Sequence, residues 1–150
     1  MNMKEIWLQS LSSERRLTRE TIAAMKDGDV QFKPTEEQMP FGLQALHIVS
    51  CQKTLVEAFR TNEWHWEQGY DLVKFPTLEA ILTAFDQGQA AETGYYESLE
   101  PEEFGRIIKT PWGSSEPVIQ MLYSFLAHEA HHRGQMVTYL RLKGMVPPQY

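Results

Sequence analysis

His128-Glu129-Ala130-His131-His132-Arg133-Gly134-Gln135 gathers three of the chain's five histidines into one short block, inside a stretch with helical periodicity. Residues four apart on a helix lie on one face, so His128 and His132 can point at a common centre. Neutral imidazole is the commonest metal ligand and suits zinc, iron, nickel and copper. Two ligands rarely make a good site, and only His47 and His65 remain to supply a third.

Outward from this block, four stretches carry a period near 3.6 residues. The first runs from about Lys4 to Met25, with Ile6, Leu8, Leu11, Leu17 and Ile22 among charged residues, and stops at Asp27-Gly28-Asp29. The second runs from Phe41, after Met39-Pro40, to about Arg60. The third opens at Pro76-Thr77, where Thr77 can cap free amides, and reaches about Leu99 before Pro101. The fourth starts near Ser114-Ser115-Glu116-Pro117 and ends at Lys143-Gly144, where glycine supplies a left-handed stop. Arg106-Ile107-Ile108 is a candidate short extended piece between the last two. Four long amphipathic helices without convincing β alternation predict an all-α four-helix bundle.

A helical wheel at 100° per residue orients the histidines. With Val118 at zero, Leu122 and Leu140 fall at about 40°, Phe125 at about 340° and Met136 at about 0°, defining the buried stripe. His132 lands at about 320° and His128 at about 280°, facing inward, while His131 at about 220° reads as a rim or surface residue. Glu129, at about 20°, falls inside the stripe, where a carboxylate needs a partner. It can orient an imidazole, pair with Arg133 at i+4, or transfer protons. On the second helix Leu43, His47, Cys51, Thr54 and Ala58 share one face, so His47 is the favoured third ligand. Cys51 reads as a small buried hydrophobe before it reads as a fourth ligand. His65, between Trp64 and Trp66, reads as a loop residue.

Composition bounds the rest. A chain of 150 residues, 42% hydrophobic and 23% charged, supports one soluble domain, taken here as residues 1–150. A net charge of −6 argues against nucleic-acid binding, which needs a basic face. No apolar run approaches the roughly 18–20 residues of a membrane span, and Met1-Asn2-Met3-Lys4-Glu5-Ile6-Trp7 lacks the apolar core of a signal peptide. The single Cys51 agrees with a reducing compartment, so the expected location is cytoplasmic.

Phe41-Gly42-Leu43-Gln44-Ala45-Leu46-His47-Ile48, the Thr110-Pro111-Trp112-Gly113 connector and the His128–Gln135 block, followed by Tyr139-Leu140-Arg141-Leu142-Lys143-Gly144 and Pro147-Pro148, together resemble the DinB family of the DinB/YfiT-like metalloenzyme superfamily. The resemblance spans nearly the whole chain. It implies an up-down-down-up bundle that often forms a homodimer, and a divalent metal held by His47, His128 and His132.

Three neutral histidines leave an ion's charge uncompensated and a coordination position free for water or substrate. A bound ion can lower the pKa of coordinated water to about 7 or deprotonate a thiol. Superfamily relatives are similar to bacillithiol- and mycothiol-dependent S-transferases and maleylpyruvate isomerases. The favoured expectation is therefore thiol transfer to a small-molecule substrate with a low-molecular-weight thiol cofactor. The alternatives are a hydrolase using metal-activated hydroxide and a non-catalytic, metal-binding stress-response dimer. Zinc is the default metal, with nickel, iron and manganese as competitors. Glu129 is the candidate catalytic base and Tyr139, at about 300° on the wheel, the candidate cavity-lining residue.

Overall fold

The computed structural model describes residues 1–149. Four long helices dominate it: α1 (Met3–Ala23), α2 (Phe41–Thr61), α3 (Leu78–Ser98) and α4 (Val118–Leu142). Two short strands, β1 (Ile107–Lys109) and β2 (Ser115–Pro117), form an antiparallel pair between α3 and α4.

Local chemistry sets the boundaries. Asn2 and Glu5 form a reciprocal capping box that starts α1 slightly before the sequence pattern suggests. The Thr77 hydroxyl accepts from the Ala80 amide at 3.1 Å and opens α3. Asn62 (φ 59°) ends α2 in the left-handed region, and Gly144 (φ 72°) follows α4 as expected. The start of α4 differs from the expectation: Ser115-Glu116-Pro117 belongs to a strand. Thr110 and Gly113, the latter at φ 93°, close a tight turn that folds the segment onto Ile107–Lys109, so the helix begins only after Pro117.

Side-chain pairings across the bundle fix its topology. Arg15–Glu92 and Arg19–Asp86 show α1 antiparallel to α3. Ser10–Tyr123 and Glu14–Arg133 show α1 parallel to α4. Gln44–Gln135 and Cys51–His128 show α2 antiparallel to α4. Gly42 lies against Ile81 and Gly88 against Val49 and Gln52, so α2 and α3 run parallel. The directions are up, down, down, up, and each helix packs on two neighbours, α1 and α2 both lying between α3 and α4.

The parallel α2–α3 pair is closely packed at Gly88. A Cβ there would stand 2.9 Å from Gln52 Oε1 and 3.2 Å from Val49 Cγ1, so glycine is what lets these backbones approach. The same parallel pairing forces residues 62–77 to return along the bundle. Their chain is pinned to α2 where the Glu67 amide donates to Thr54 Oγ1 at 2.9 Å and Ser50 Oγ donates to the Glu67 carbonyl at 3.1 Å.

The apolar core is split in two. One cluster gathers Ile22, Phe41, Leu46, Ile81, Phe85 and Met136, and the other Trp7, Leu11, Leu55, Tyr96, Phe104 and Leu122. Between them every helix contributes buried polar side chains at one level: Arg15 and Thr18 from α1, Gln52 from α2, Glu92 from α3, and Glu129, His132 and Arg133 from α4. That layer carries the candidate site.

Candidate metal centre

The packing of α2 against α4 brings His47, His128 and His132 together, each offering a ligand atom within 4.8 Å of the others'. Ring centroids are 5.1 Å apart for His47–His128, 4.7 Å for His47–His132 and 4.5 Å for His128–His132. His47 and His128 are half-buried and His132 is buried. Burial lowers all three pKa values below the ordinary imidazole range. His132, crowded also by His128, His47 and His131, falls to about 4. Near neutral pH the rings are therefore uncharged, the form in which imidazole ligates.

Gln44 sets the tautomer of His132. An amide oxygen only accepts, so His132 Nδ1–H must donate to Gln44 Oε1, leaving His132 Nε2 as a lone-pair donor 3.0 Å from His128 Nε2. The Gln44 amide then donates to Gln135 Oε1, and Gln135 Nε2 donates to His131 Nε2 at 2.8 Å. This is the outer support that metal-ligating histidines usually require. Three convergent neutral imidazoles, one with its tautomer fixed, fit a divalent ion.

His131 and His65 lie outside the cluster. His131 is exposed at the far end of the glutamine chain, and His65 is exposed beside Glu63 at 3.1 Å. Cys51 adjoins the cluster, its Sγ 3.6 Å from His47 Nε2 and 3.9 Å from His128 Nδ1. Burial raises its thiol pKa to about 11, so in this setting it is a neutral thiol rather than a nucleophile.

Glu129 is buried, as the wheel requires, but both its oxygens are engaged by α1. Thr18 Oγ1 donates to Oε1 at 2.5 Å, and Arg15 Nη1 donates to Oε2. Arg15 also reaches Glu92 Oε2 at 2.7 Å, while Arg133 binds Glu14 Oε2 at 2.6 Å and Thr18 Oγ1 at 3.1 Å. Burial raises the Glu92 pKa, and Arg15 offsets that only in part. Glu129 thus closes a buried ion network instead of offering a free base. Tyr139 is also placed away from the histidines: it is buried in the Ile22–Phe41 cluster, packs edge-on against Phe32 and donates to the Met39 carbonyl at 3.1 Å. It does not line the cavity beside them.

That cavity, of about 300 Å³, is lined by His47, Cys51 and His128 together with Trp66, Trp112, Phe125 and Ser124. Arg15, Gln44 and Glu92 went unnoticed as site residues in the sequence, although a signal existed. Each is a polar residue at an apolar position of its helix: Leu11-Arg15-Thr18-Ile22, Gln44-His47-Cys51 and Phe85-Gly88-Glu92-Tyr96 all keep spacings of three or four.

A four-helix bundle whose middle layer carries three convergent histidines defines the general class. The chain matches the DinB family over residues 1–150, and it belongs to that family. Solved structures agree on the fold. A DinB-like protein from Bacillus cereus superposes with a TM-score of 0.83 at 20% identity, covering 97% of this chain and 96% of that one. YfiT from Bacillus subtilis, described as a probable metal-dependent hydrolase with an unusual four-helix bundle topology, gives 0.73 at 15% identity, covering 94% and 87%. A mycothiol-dependent maleylpyruvate isomerase gives 0.68 at 10% identity, covering 89% of this chain and 60% of the other. No functionally curated protein matches the chain. Among the described residues no helix is long and apolar enough to cross a membrane.

Proposed function

We propose that this protein holds a divalent metal through His47, His128 and His132 and transfers a low-molecular-weight thiol to a small electrophile. The observation that carries the reading is the convergence of three neutral imidazoles beside an apolar cavity, without a carboxylate or deprotonated thiolate among the grouped ligands. When bound, such an ion supplies a Lewis acid that lowers the pKa of a coordinated thiol or water.

The chain's own residues do the rest. Gln44 keeps His132 in the ligating tautomer, and the burial that depresses the imidazole pKa values keeps protons off the ligands. The aromatic side chains of Trp66, Trp112 and Phe125 offer apolar surface beside His47 and His128. Thiol transfer is favoured over hydrolysis because Glu129, the carboxylate next to the site, is held by Arg15 and Thr18 and is not free to move protons. The thiol would release its proton to solvent, and its sulfur would form a C–S bond as the electrophile's leaving group departs with its electron pair (chloride from a chloroarene), so no protein base is required. Hydrolysis is the second reading, supported by the description of YfiT.

The test is zinc-loaded protein offered a neutral thiol with 1-chloro-2,4-dinitrobenzene, and separately p-nitrophenyl acetate without thiol. Metal- and thiol-dependent turnover of the first supports transfer; turnover of the second alone supports hydrolysis. Cys51→Ala must retain one metal per chain. Loss of metal in that variant would mark a closed four-ligand structural site and end the enzymatic reading.

A further inference from the structure

Trp66 is 52% and Trp112 60% exposed, although the chain buries Trp7 to 1%. The two indoles come from connectors far apart in sequence, yet both face the cavity beside His47 and His128. Their positions are built. Trp64 Nε1 donates to the Lys109 carbonyl at 2.7 Å, tying the α2–α3 connector to the β1–β2 hairpin whose turn carries Trp112. Trp64 stacks on Phe125 at 6.0 Å with 23° between planes and lies 6.3 Å from Trp66. The Thr54 and Ser50 bonds to Glu67 hold the chain just beyond Trp66 against α2.

The lining carries no Lys, Arg, Asp or Glu. The walls themselves therefore offer no ion-pair partner to a charged group of either sign. Indole and phenyl faces instead suit the edge or face of another ring. At about 300 Å³ the space lies at the lower end of small-molecule cavities.

We infer that the substrate of this site is a neutral aromatic molecule whose ring is seated against Trp66, Trp112 and Phe125. The inference rests on the proposed metal site for what reacts, but the ring seat is made of side chains and exists without the ion. The test therefore uses full-length protein in zinc-loaded and chelator-treated forms, with benzyl alcohol, cyclohexylmethanol and benzoate as probes in calorimetry.

Benzyl alcohol is expected to bind both forms, and to bind the chelator-treated form about fivefold more tightly than cyclohexylmethanol, the size of a ring-on-ring preference, and more tightly than benzoate, whose charge finds no ion-pair partner on the walls. Trp66→Leu and Trp112→Leu should each remove most of that preference, and the Phe substitutions should retain it. Both positions are exposed, so folding is expected to survive; circular dichroism checks this. Equal affinities for the three probes overturn the inference, as does loss of self-association in the leucine variants with probe binding unchanged. Failure to bind zinc with the ring preference intact would instead remove the metal reading and leave the seat standing.

Discussion

On the α1 and α3 side of the middle layer, Arg15 is clamped between Glu92 and Glu129, with Thr18, Arg133 and Glu14 completing the network. On the α2 and α4 side, three uncharged imidazoles face one another, His47 and His128 also lining a cavity and His132 backed by the amide of Gln44. Both regions place polar groups between the same two apolar clusters. In the first, charge answers charge and the carboxylate oxygens of Glu92 and Glu129 are already engaged. In the second, lone pairs converge with no protein cation between them. The contrast teaches that a buried polar residue in a bundle points to function only when its partners leave something unsatisfied.

Removing Arg15 should have the largest effect on folding. Arg15→Met leaves two buried carboxylates without their cation and should cost about 3–5 kcal/mol in denaturant titrations, whereas His47→Ala should cost far less. A mild Arg15 phenotype would mean that water already shares the network and that the two regions differ less than described.

The histidine side should fail in the opposite way. His47→Ala, His128→Ala and His132→Ala should each abolish most metal binding, measured as stoichiometry after dialysis, with the fold intact by circular dichroism. Retention of a full equivalent of metal by any of the three would break the assignment of that ligand.

Acid should separate the regions in metal-free protein. The folded-state pKa of His132 is depressed from the ordinary 6.5 to about 4, so its contribution is complete above pH 6.5. Between about 6.5 and 4 the unfolded chain binds more protons, and stability falls as pH drops, by about 3 kcal/mol for this residue. His47 and His128 shift in the same direction. In His132→Ala this part of the slope should vanish; an unchanged slope would place the acid sensitivity elsewhere.

Gln44→Leu should weaken metal binding by about 10- to 100-fold, the usual cost of losing an outer partner, and Gln44→Glu should restore it. His131→Ala, at the exposed end of the same chain, should change affinity by about twofold or less, well below that range. Equal losses at His131 and His132 would show that the glutamine chain does not insulate the site from its surface end.

The four helices were readable because Leu, Ile, Phe and Met repeat at 3.6-residue spacing, and Thr77 and Gly144 mark ends by local chemistry that needs no tertiary context. His47, His128 and His132 were readable because the same periodicity fixes which face each occupies. What pairs with what was not readable. Glu129 had an obvious local candidate in Arg133, but Arg15 approaches from a helix more than a hundred residues away in sequence, and only packing reveals it. Tyr139 had the right phase but lies two turns too far along α4, where it joins the Ile22–Phe41 cluster: a wheel reports angle, not height. The strand at Ser115–Pro117 was hidden for a related reason, since so short a segment has no period and is defined by its hairpin partner.

The direction of α3 has one more consequence. An alternating bundle can be joined by tight corners, with no spare chain near its midsection. Because α3 repeats the heading of α2, this chain must double back along its own flank, and Trp66 rides on that detour. The awning over the histidines is thus a by-product of wiring, and evolution could retailor its sequence for new cargo without disturbing a single helix.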